Sequence, residues 1–123
     1  MSEAKDYVVQ PTEKGTVNIS EEVISSIAAI AISEVDGVYG LSSSFTADLA
    51  ARLGKKNMSR GVRLKIEDGV VTVGCYVTIV YGSEIPVIAA AIYDNVVNAI
   101  ESMTGLKVAE VDVDIVGISA AKE

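Results

Sequence analysis

Histidine and tryptophan are absent from the 123-residue sequence, and cysteine and phenylalanine each occur once. The absence of histidine excludes Ser–His and Cys–His nucleophile pairs and removes the commonest zinc ligand. A single cysteine, Cys75, excludes an internal disulfide, and its apolar, strand-like surroundings predict a packed thiol in a reducing compartment. These absences predict a protein that is not an enzyme and that needs no metal or other cofactor.

Long apolar runs are also absent. The longest apolar stretches, around Ile27–Ile32 and Pro86–Tyr93, fall far short of the roughly 20 residues that a membrane-spanning helix requires. Residues Met1–Lys14 are polar and mixed in charge, unlike a secretory signal peptide. We therefore expect a cytoplasmic protein with no direct insertion into the membrane.

Aliphatic residues, in contrast, are abundant. Hydrophobic residues make up 50% of the chain and the mean hydropathy is +0.39, mostly through Val, Ile and Ala. A domain of this size has a limited interior, so such a surplus is most easily placed if part of it is buried between subunits. The sequence thus favours a homo-oligomer, and the alternative is a core with many half-buried alanines.

Charge is unevenly distributed along the chain. The net charge of −7 argues against the basic surface that nucleic-acid binding requires and against direct adsorption to anionic lipid. Residues 49–66 nevertheless contain no acid and carry a cluster of cations. Its candidate partner-binding residues are Arg52, Lys55, Lys56 and Arg60. They could dock an acidic partner, an anionic headgroup or the acidic face of a neighbouring copy; the alternative is a solvated loop, since runs of like charge usually face water.

The first half of the chain predicts one strand and one long helix. Residues 1–14 are interpreted as a flexible arm, and Gly15–Ile19 as a short strand with Val17 and Ile19 inward. Ser20 is a good N-cap for a helix that ends near Val35. Further predictions are an irregular connection over 38–44, a short helix over 46–53 and a basic loop over 55–60.

The second half predicts a hairpin, a helix and a final strand. Asp68-Gly69 is a strong turn signal between two alternating segments, Gly61–Glu67 and Val70–Tyr81. The helix is expected from Pro86 to about Met103, with a core stripe of Ile85, Ile88, Ile92, Val96, Ala99 and Met103. The last strand is expected over Lys107–Ile118, with Ala109, Val111, Val113 and Ile115 inward.

Three carboxylates, those of Glu110, Asp112 and Asp114, fall on the outer face of that last strand. They could bind a hard cation, but we favour a solvated face that blunts pairing with other chains. The element order is β-α-(short α)-β-β-α-β. It predicts an α+β two-layer sandwich over residues 15–118, in which two long helices cover one face of a four-stranded, mixed but mainly antiparallel sheet; residues 119–123 form a tail.

Several segments, in this order and spacing, resemble the alkaline shock protein family of Gram-positive bacteria. They are Gly15-Thr-Val-Asn-Ile-Ser20, Glu34-Val-Asp-Gly-Val38, Ser59-Arg-Gly-Val62, Val77-Thr-Ile-Val-Tyr-Gly82 and Met103-Thr-Gly-Leu106. The resemblance covers 15–118, and the short 46–56 segment is similar to compact members. It implies a non-enzymatic cytosolic protein of envelope stress response or homeostasis, with partners that include a membrane-anchored relative or another envelope protein.

A second function was weighed from the residues themselves. Gly37-Val38-Tyr39-Gly40 is formally a GxxG sequence between two predicted helices, as in a KH RNA-binding module. Such loops usually carry basic or small polar residues between the glycines, so the signal is weak. A KH-like module remains the alternative function.

Overall fold

Seven strands and two helices lie within residues 7–42, 58–59 and 61–120, the part of the chain that the computed structural model describes. In chain order they are β1 (Tyr7–Thr12), β2 (Gly15–Ser20), α1 (Glu21–Ser33), β3 (Val38–Leu41), β4 (Met58–Ser59), β5 (Val62–Glu67), β6 (Val70–Val80), α2 (Ile85–Thr104) and β7 (Lys107–Ser119). The short helix expected over 46–53 lies outside the described residues. The α+β class is confirmed.

Strand β6 is the centre of a five-stranded mixed sheet. It pairs in parallel with β7 along its whole length. On its other side it pairs antiparallel with β5 through its first half and with β3 through its second half. Strand β4 extends the sheet beyond β5, while β1 and β2 form a separate two-stranded hairpin. The main sheet was expected to have four strands, one of them Gly15–Ile19; that segment pairs with β1 instead, and β3 and β4 join the main sheet.

The core lies between the inner face of this sheet and the two helices. The predicted alternation in β6 is confirmed, since Val71, Val73, Cys75, Val77 and Ile79 are all at most 2% exposed. The inner residues of β5, the buried face of α1 and one stripe of α2 complete the cluster. Fully burying one aliphatic side chain contributes about 1.5–3 kcal/mol, so this cluster supplies most of the drive to fold.

Local signals place the element boundaries as expected. Ser20 caps α1, and its Oγ accepts a hydrogen bond of 3.0 Å from the backbone N–H of Glu22. The β5–β6 turn has positive φ at both central residues, 54° at Asp68 and 76° at Gly69, as a tight hairpin demands. Pro86 lies in the first turn of α2, and Gly105 ends that helix in the left-handed conformation.

The N-terminal segment differs from the prediction. Residues 1–14 were expected to be a flexible arm, but Tyr7–Thr12 forms β1, and its pairing partner is β2. The hairpin is fixed to the helical layer, because Gln10 Nε2 donates a hydrogen bond of 3.1 Å to the carbonyl oxygen of Thr104. Ile19 packs against the core as predicted, whereas Val17 is exposed and its inward placement was wrong.

Other differences concern additional strands, the buried stripe of α2 and the pairing of β7. Residues 38–41 form β3 rather than an irregular connection, and 58–59 form β4 within the expected basic loop. The stripe of α2 continues through Ile100 and Thr104, while Ile85 and Met103 are exposed. In β7, Ala109 is exposed because it is an extra residue in the pairing with β6.

Candidate interaction surfaces

Exposed apolar side chains gather at one end of the main sheet. Strand β6 ends at this point, where the backbone N–H of Tyr81 donates to the carbonyl oxygen of Ser119 at 2.8 Å. Tyr81 is 75% exposed, its neighbour Ile118 is 60% exposed, and Tyr39 of β3 is 57% exposed. Helix α2 begins four residues after Tyr81, and its first turn adds Val87, which is 61% exposed. We call these four residues the strand-end patch.

Two irregularities in the sheet lie beside the patch residues of β3 and β7. Val38 pairs with Ile79 and Gly40 pairs with Thr78, so Tyr39 is an extra residue that the bulge turns outward. The second irregularity is in β7, where Val116 is an extra residue between the Val77–Ile115 and Thr78–Gly117 pairs, and Ile118 then pairs with Ile79 near the end of the strand. The alternation that runs from Val71 to Ile79 would place Tyr81 in the core if it continued, and it does not identify Tyr39 or Ile118 as surface residues. The apolar start of α2 is a feature of the sequence that lies at this end of the sheet.

The outer face of the sheet is polar, and the side chain of Arg63 covers part of it. Arg63 of β5 lies directly opposite Gly74 of β6, and its guanidinium extends across the space that a side chain at Gly74 would fill. Its Nη1 donates a hydrogen bond of 2.8 Å to the hydroxyl of Tyr76, and its Cζ lies 5.5 Å from the centre of that ring. Arg63 is thus engaged within the sheet, whereas Lys65 is exposed.

The three carboxylates of β7 are exposed on this same face, as predicted. Glu110, Asp112 and Asp114 pair with Thr72, Gly74 and Tyr76 of β6. None of those three neighbours carries a positive charge. A hydrogen bond with Asp112 and repulsion from that carboxylate raise the pKa of Glu110. Glu110 and Asp112 therefore repel each other, and β6 itself places no positive charge beside the three carboxylates; the guanidinium of Arg63 from β5 lies over Gly74, the partner of Asp112.

Cys75 is a core residue, as its position in the sequence predicts. It is fully buried on the inner face of β6. Burial, with a smaller contribution from the negative charge of Asp114, raises the pKa of its thiol to about 12. A thiol with so high a pKa is protonated at neutral pH, and this keeps it a poor nucleophile.

The candidate partner-binding residues Arg52, Lys55, Lys56 and Arg60 lie outside the described residues, so their role stays a prediction. The GxxG sequence, in contrast, is well described. It is not a loop between helices, because Val38–Leu41 forms β3 and pairs with β6. At Gly37 an added Cβ would fall 2.7 Å from Ile88 Cδ1, so this glycine is held against the core. The geometry gives the RNA-binding alternative no support.

The described residues offer neither a metal site nor a membrane-crossing helix. No group of three or more Cys, Asp or Glu side chains there is arranged so that it could hold a metal ion. Neither α1 nor α2 combines the length and apolarity that a membrane-crossing helix needs.

Comparison with known proteins decides the family. The model of the alkaline shock protein 23 family, described as having a cell envelope-related function, matches residues 9–120. The chain belongs to the alkaline shock protein family. The resemblance inferred from the sequence is thereby confirmed, and the family relates this protein to the cell envelope and to stress.

Curated relatives agree with this assignment. The chain is 38% identical to the uncharacterized protein YqhY of Bacillus subtilis, over 89% of this chain and 81% of that protein. It is 33% identical to the uncharacterized protein Spy1535 of Streptococcus pyogenes, over 88% and 82%. A Streptococcus pyogenes homologue of the stress response regulator gls24 is 28% identical, over 89% of this chain and 62% of that protein. No solved structure matches.

Proposed function

We propose that this alkaline shock family member is a non-enzymatic interaction or scaffold protein of the cell-envelope stress response or homeostasis. It acts by self-association and by binding protein partners. Such partners include a membrane-anchored relative or another envelope protein, which would bring a cytoplasmic protein to the membrane. The gls24 homologue, named a stress response regulator, supports the stress-related part of this proposal.

The strand-end patch is the observation that carries the proposal. Four apolar side chains, each more than half exposed, lie on elements that begin or end at the end of the sheet where β6 stops and α2 begins. Single exposed apolar residues are ordinary, but contiguous apolar patches on a small domain mark sites of protein association. Tyrosine is also enriched at protein interfaces, because it buries a large ring and keeps a polar hydroxyl. The patch therefore offers a place for the apolar surplus to be covered by another protein.

The experiment is a two-tag capture, in which one tagged copy retains a second, differently tagged copy and any envelope proteins from native membranes. Replacement of Tyr81, Val87 and Ile118 by serine should reduce capture of the second copy several-fold. These positions are exposed, so the fold should be little affected. A matched control replaces Val9, Ile30 and Met103, which are similarly exposed but lie away from the patch, and it should capture as the wild type does.

Two results would contradict the proposal. One is a wild-type chain that retains no second copy and no envelope protein. The other is an equal loss of capture in the patch variant and in the control variant, since that would reflect nonspecific association of exposed apolar residues. Charge reversal at Lys55 and Lys56 in the same assay tests the separate prediction that the basic segment binds an acidic partner; unchanged capture would remove it.

A further inference from the structure

No second strand pairs with the outer edge of β7 in the described part of the chain. Strand β7 pairs only with β6, so its other edge presents backbone N–H and C=O groups. Pairing with β6 is interrupted at two places, where Ala109 and Val116 are extra residues. Between them Glu110–Ile115 keeps a regular register with 72–77 of β6. At about 3.3 Å per residue this regular edge is roughly 20 Å long, the length of an average strand.

The charges of this edge discriminate against a second copy of β7. Its three carboxylates share one face and alternate with aliphatic residues. An antiparallel β7–β7 pair would bring carboxylates of the two copies beside one another, and like charges on neighbouring strands are destabilising. Acidic residues and bulges are common devices that keep edge strands from pairing with themselves. The occupant must therefore differ in charge from β7.

Cross-strand chemistry specifies that occupant. Strands in a sheet lie about 4.8 Å apart, so a strand added to this edge would be the direct neighbour of the carboxylates. Lysine or arginine on its outer face would supply the positive charge that β6 does not. On the inner face, Val111, Val113 and Ile115 are half-buried and pack against the core, so a neighbouring aliphatic side chain would cover their exposed parts.

We propose that the Glu110–Ile115 edge of β7 binds an extended protein segment in which Lys or Arg alternates with aliphatic residues, added to the sheet as a further strand. This deepens the proposed function, on which it rests, by giving the chemistry of a protein partner. Main-chain hydrogen bonds supply affinity in such strand addition, and alternate side chains supply specificity.

The probe is a fluorescent hexapeptide with the sequence Lys-Val-Lys-Val-Lys-Val, titrated with the full chain and followed by anisotropy. A Glu-Val hexapeptide should bind far more weakly. Two further peptides carry N-methyl groups on alternate residues. In one the methyl groups are on the lysines, and in the other they are on the valines. Because only one set of amides faces the edge of a sheet, one methylated peptide should lose binding and the other should keep it.

The protein variant replaces Asp112 and Asp114 by lysine. It should bind the Lys-Val peptide at least about tenfold more weakly, since two cross-strand attractions become repulsions. The control, Glu34→Lys with Asp94→Lys, changes the net charge equally at exposed positions outside β7 and should bind as the wild type does. Asp112→Asn with Asp114→Asn is a milder variant for use if the lysine variant does not fold.

Three outcomes would overturn the inference: no binding of the Lys-Val peptide by the wild type, equal binding of both methylated peptides, or equal weakening in the control variant. The last two would show adsorption to a negative surface without strand pairing. These results are separable from those of the capture assay. The serine variant of the patch leaves Glu110–Ile115 unchanged, so it can still bind the peptide when it no longer captures a second copy. The Asp112 and Asp114 variant can likewise lose the peptide and still capture a second copy.

Discussion

A methyl group added at Gly74 tests the contact between Arg63 and Tyr76 on the outer face of the sheet. The Cβ of an alanine there would fall 2.5 Å from the Cζ of Arg63 and 2.8 Å from its Nε. Such distances are far inside van der Waals contact, so the arginine side chain must move away. In moving it loses the hydrogen bond to the Tyr76 hydroxyl and its place over the ring. Gly74→Ala should therefore act through Arg63.

The size of the effect follows from what Arg63 loses. A hydrogen bond from a charged donor contributes about 1.5–3 kcal/mol, and a cation–π contact at an exposed site about 0.5–1 kcal/mol. Arg63 is half-buried, so water can reach the displaced guanidinium and recover part of this energy. Alanine also favours a strand more than glycine does. We expect a net loss of about 1–2 kcal/mol in the free energy of unfolding.

Urea unfolding followed by circular dichroism measures this value in a double-mutant cycle with Arg63→Ala. If the two residues act through one contact, the double variant should be about as stable as Arg63→Ala alone. Gly40→Ala is the matched control, because an added Cβ there has nothing within 4 Å, and it should change stability by less than about 0.5 kcal/mol. Additive effects of Gly74→Ala and Arg63→Ala, to within about 0.5 kcal/mol, would refute the reasoning.

Two further predictions concern the core. Ile92→Ala, at a fully buried position of α2, should lower the free energy of unfolding by about 2–5 kcal/mol, whereas Ile30→Ala at an exposed position of α1 should cost far less in the same urea titration. A comparable loss in both would contradict the placement of the core. The raised pKa of Cys75 predicts a pH effect: between the ordinary value of 9.0 and about 12, the unfolded thiol loses its proton while the folded thiol keeps it. The free energy of unfolding should then fall as pH rises above 9, and its slope should be about 1.4 kcal/mol per pH unit steeper than the slope of Cys75→Ala. Parallel pH profiles of the two proteins would contradict this.

Strong local patterns predicted the centre of the fold. The alternation in β5 and β6 and the Asp68-Gly69 turn between them gave the hairpin and its inner face. The capping serine and Pro86 placed the starts of both helices. These signals depend on neighbours in the chain, so one sequence is enough to read them.

The errors arose where the decisive contact is distant in sequence or where a strand departs from regular pairing. Strand β1 is short and has Pro11 near its end, and it is held in place by its pairing with β2. In α2 the buried stripe follows steps of four residues to Ile100, and a step of three had led instead to Ala99. The bulges at Tyr39 and Val116 shift which side chains face outward, so alternation could not identify the strand-end patch.

The candidate surfaces were less predictable than the fold, for the same physical reason. The acidic row of β7 was visible in the sequence, but its value as an edge depends on strand order, which the sequence left open. The family resemblance gave the class of function and no binding residue. The proposed surfaces therefore rest on geometry, and the basic residues between Arg52 and Arg60 rest on composition.

The central claim is that the apolar surplus left on the surface is covered by other protein, first of all by another copy of this chain. Sedimentation equilibrium measures this directly, because it gives the mass of the wild type as a function of concentration. The account predicts a mass that rises to a multiple of the 12.9 kDa of one chain and returns toward that value when Tyr81, Val87 and Ile118 are replaced by serine. A wild-type mass of one chain at every concentration would contradict it.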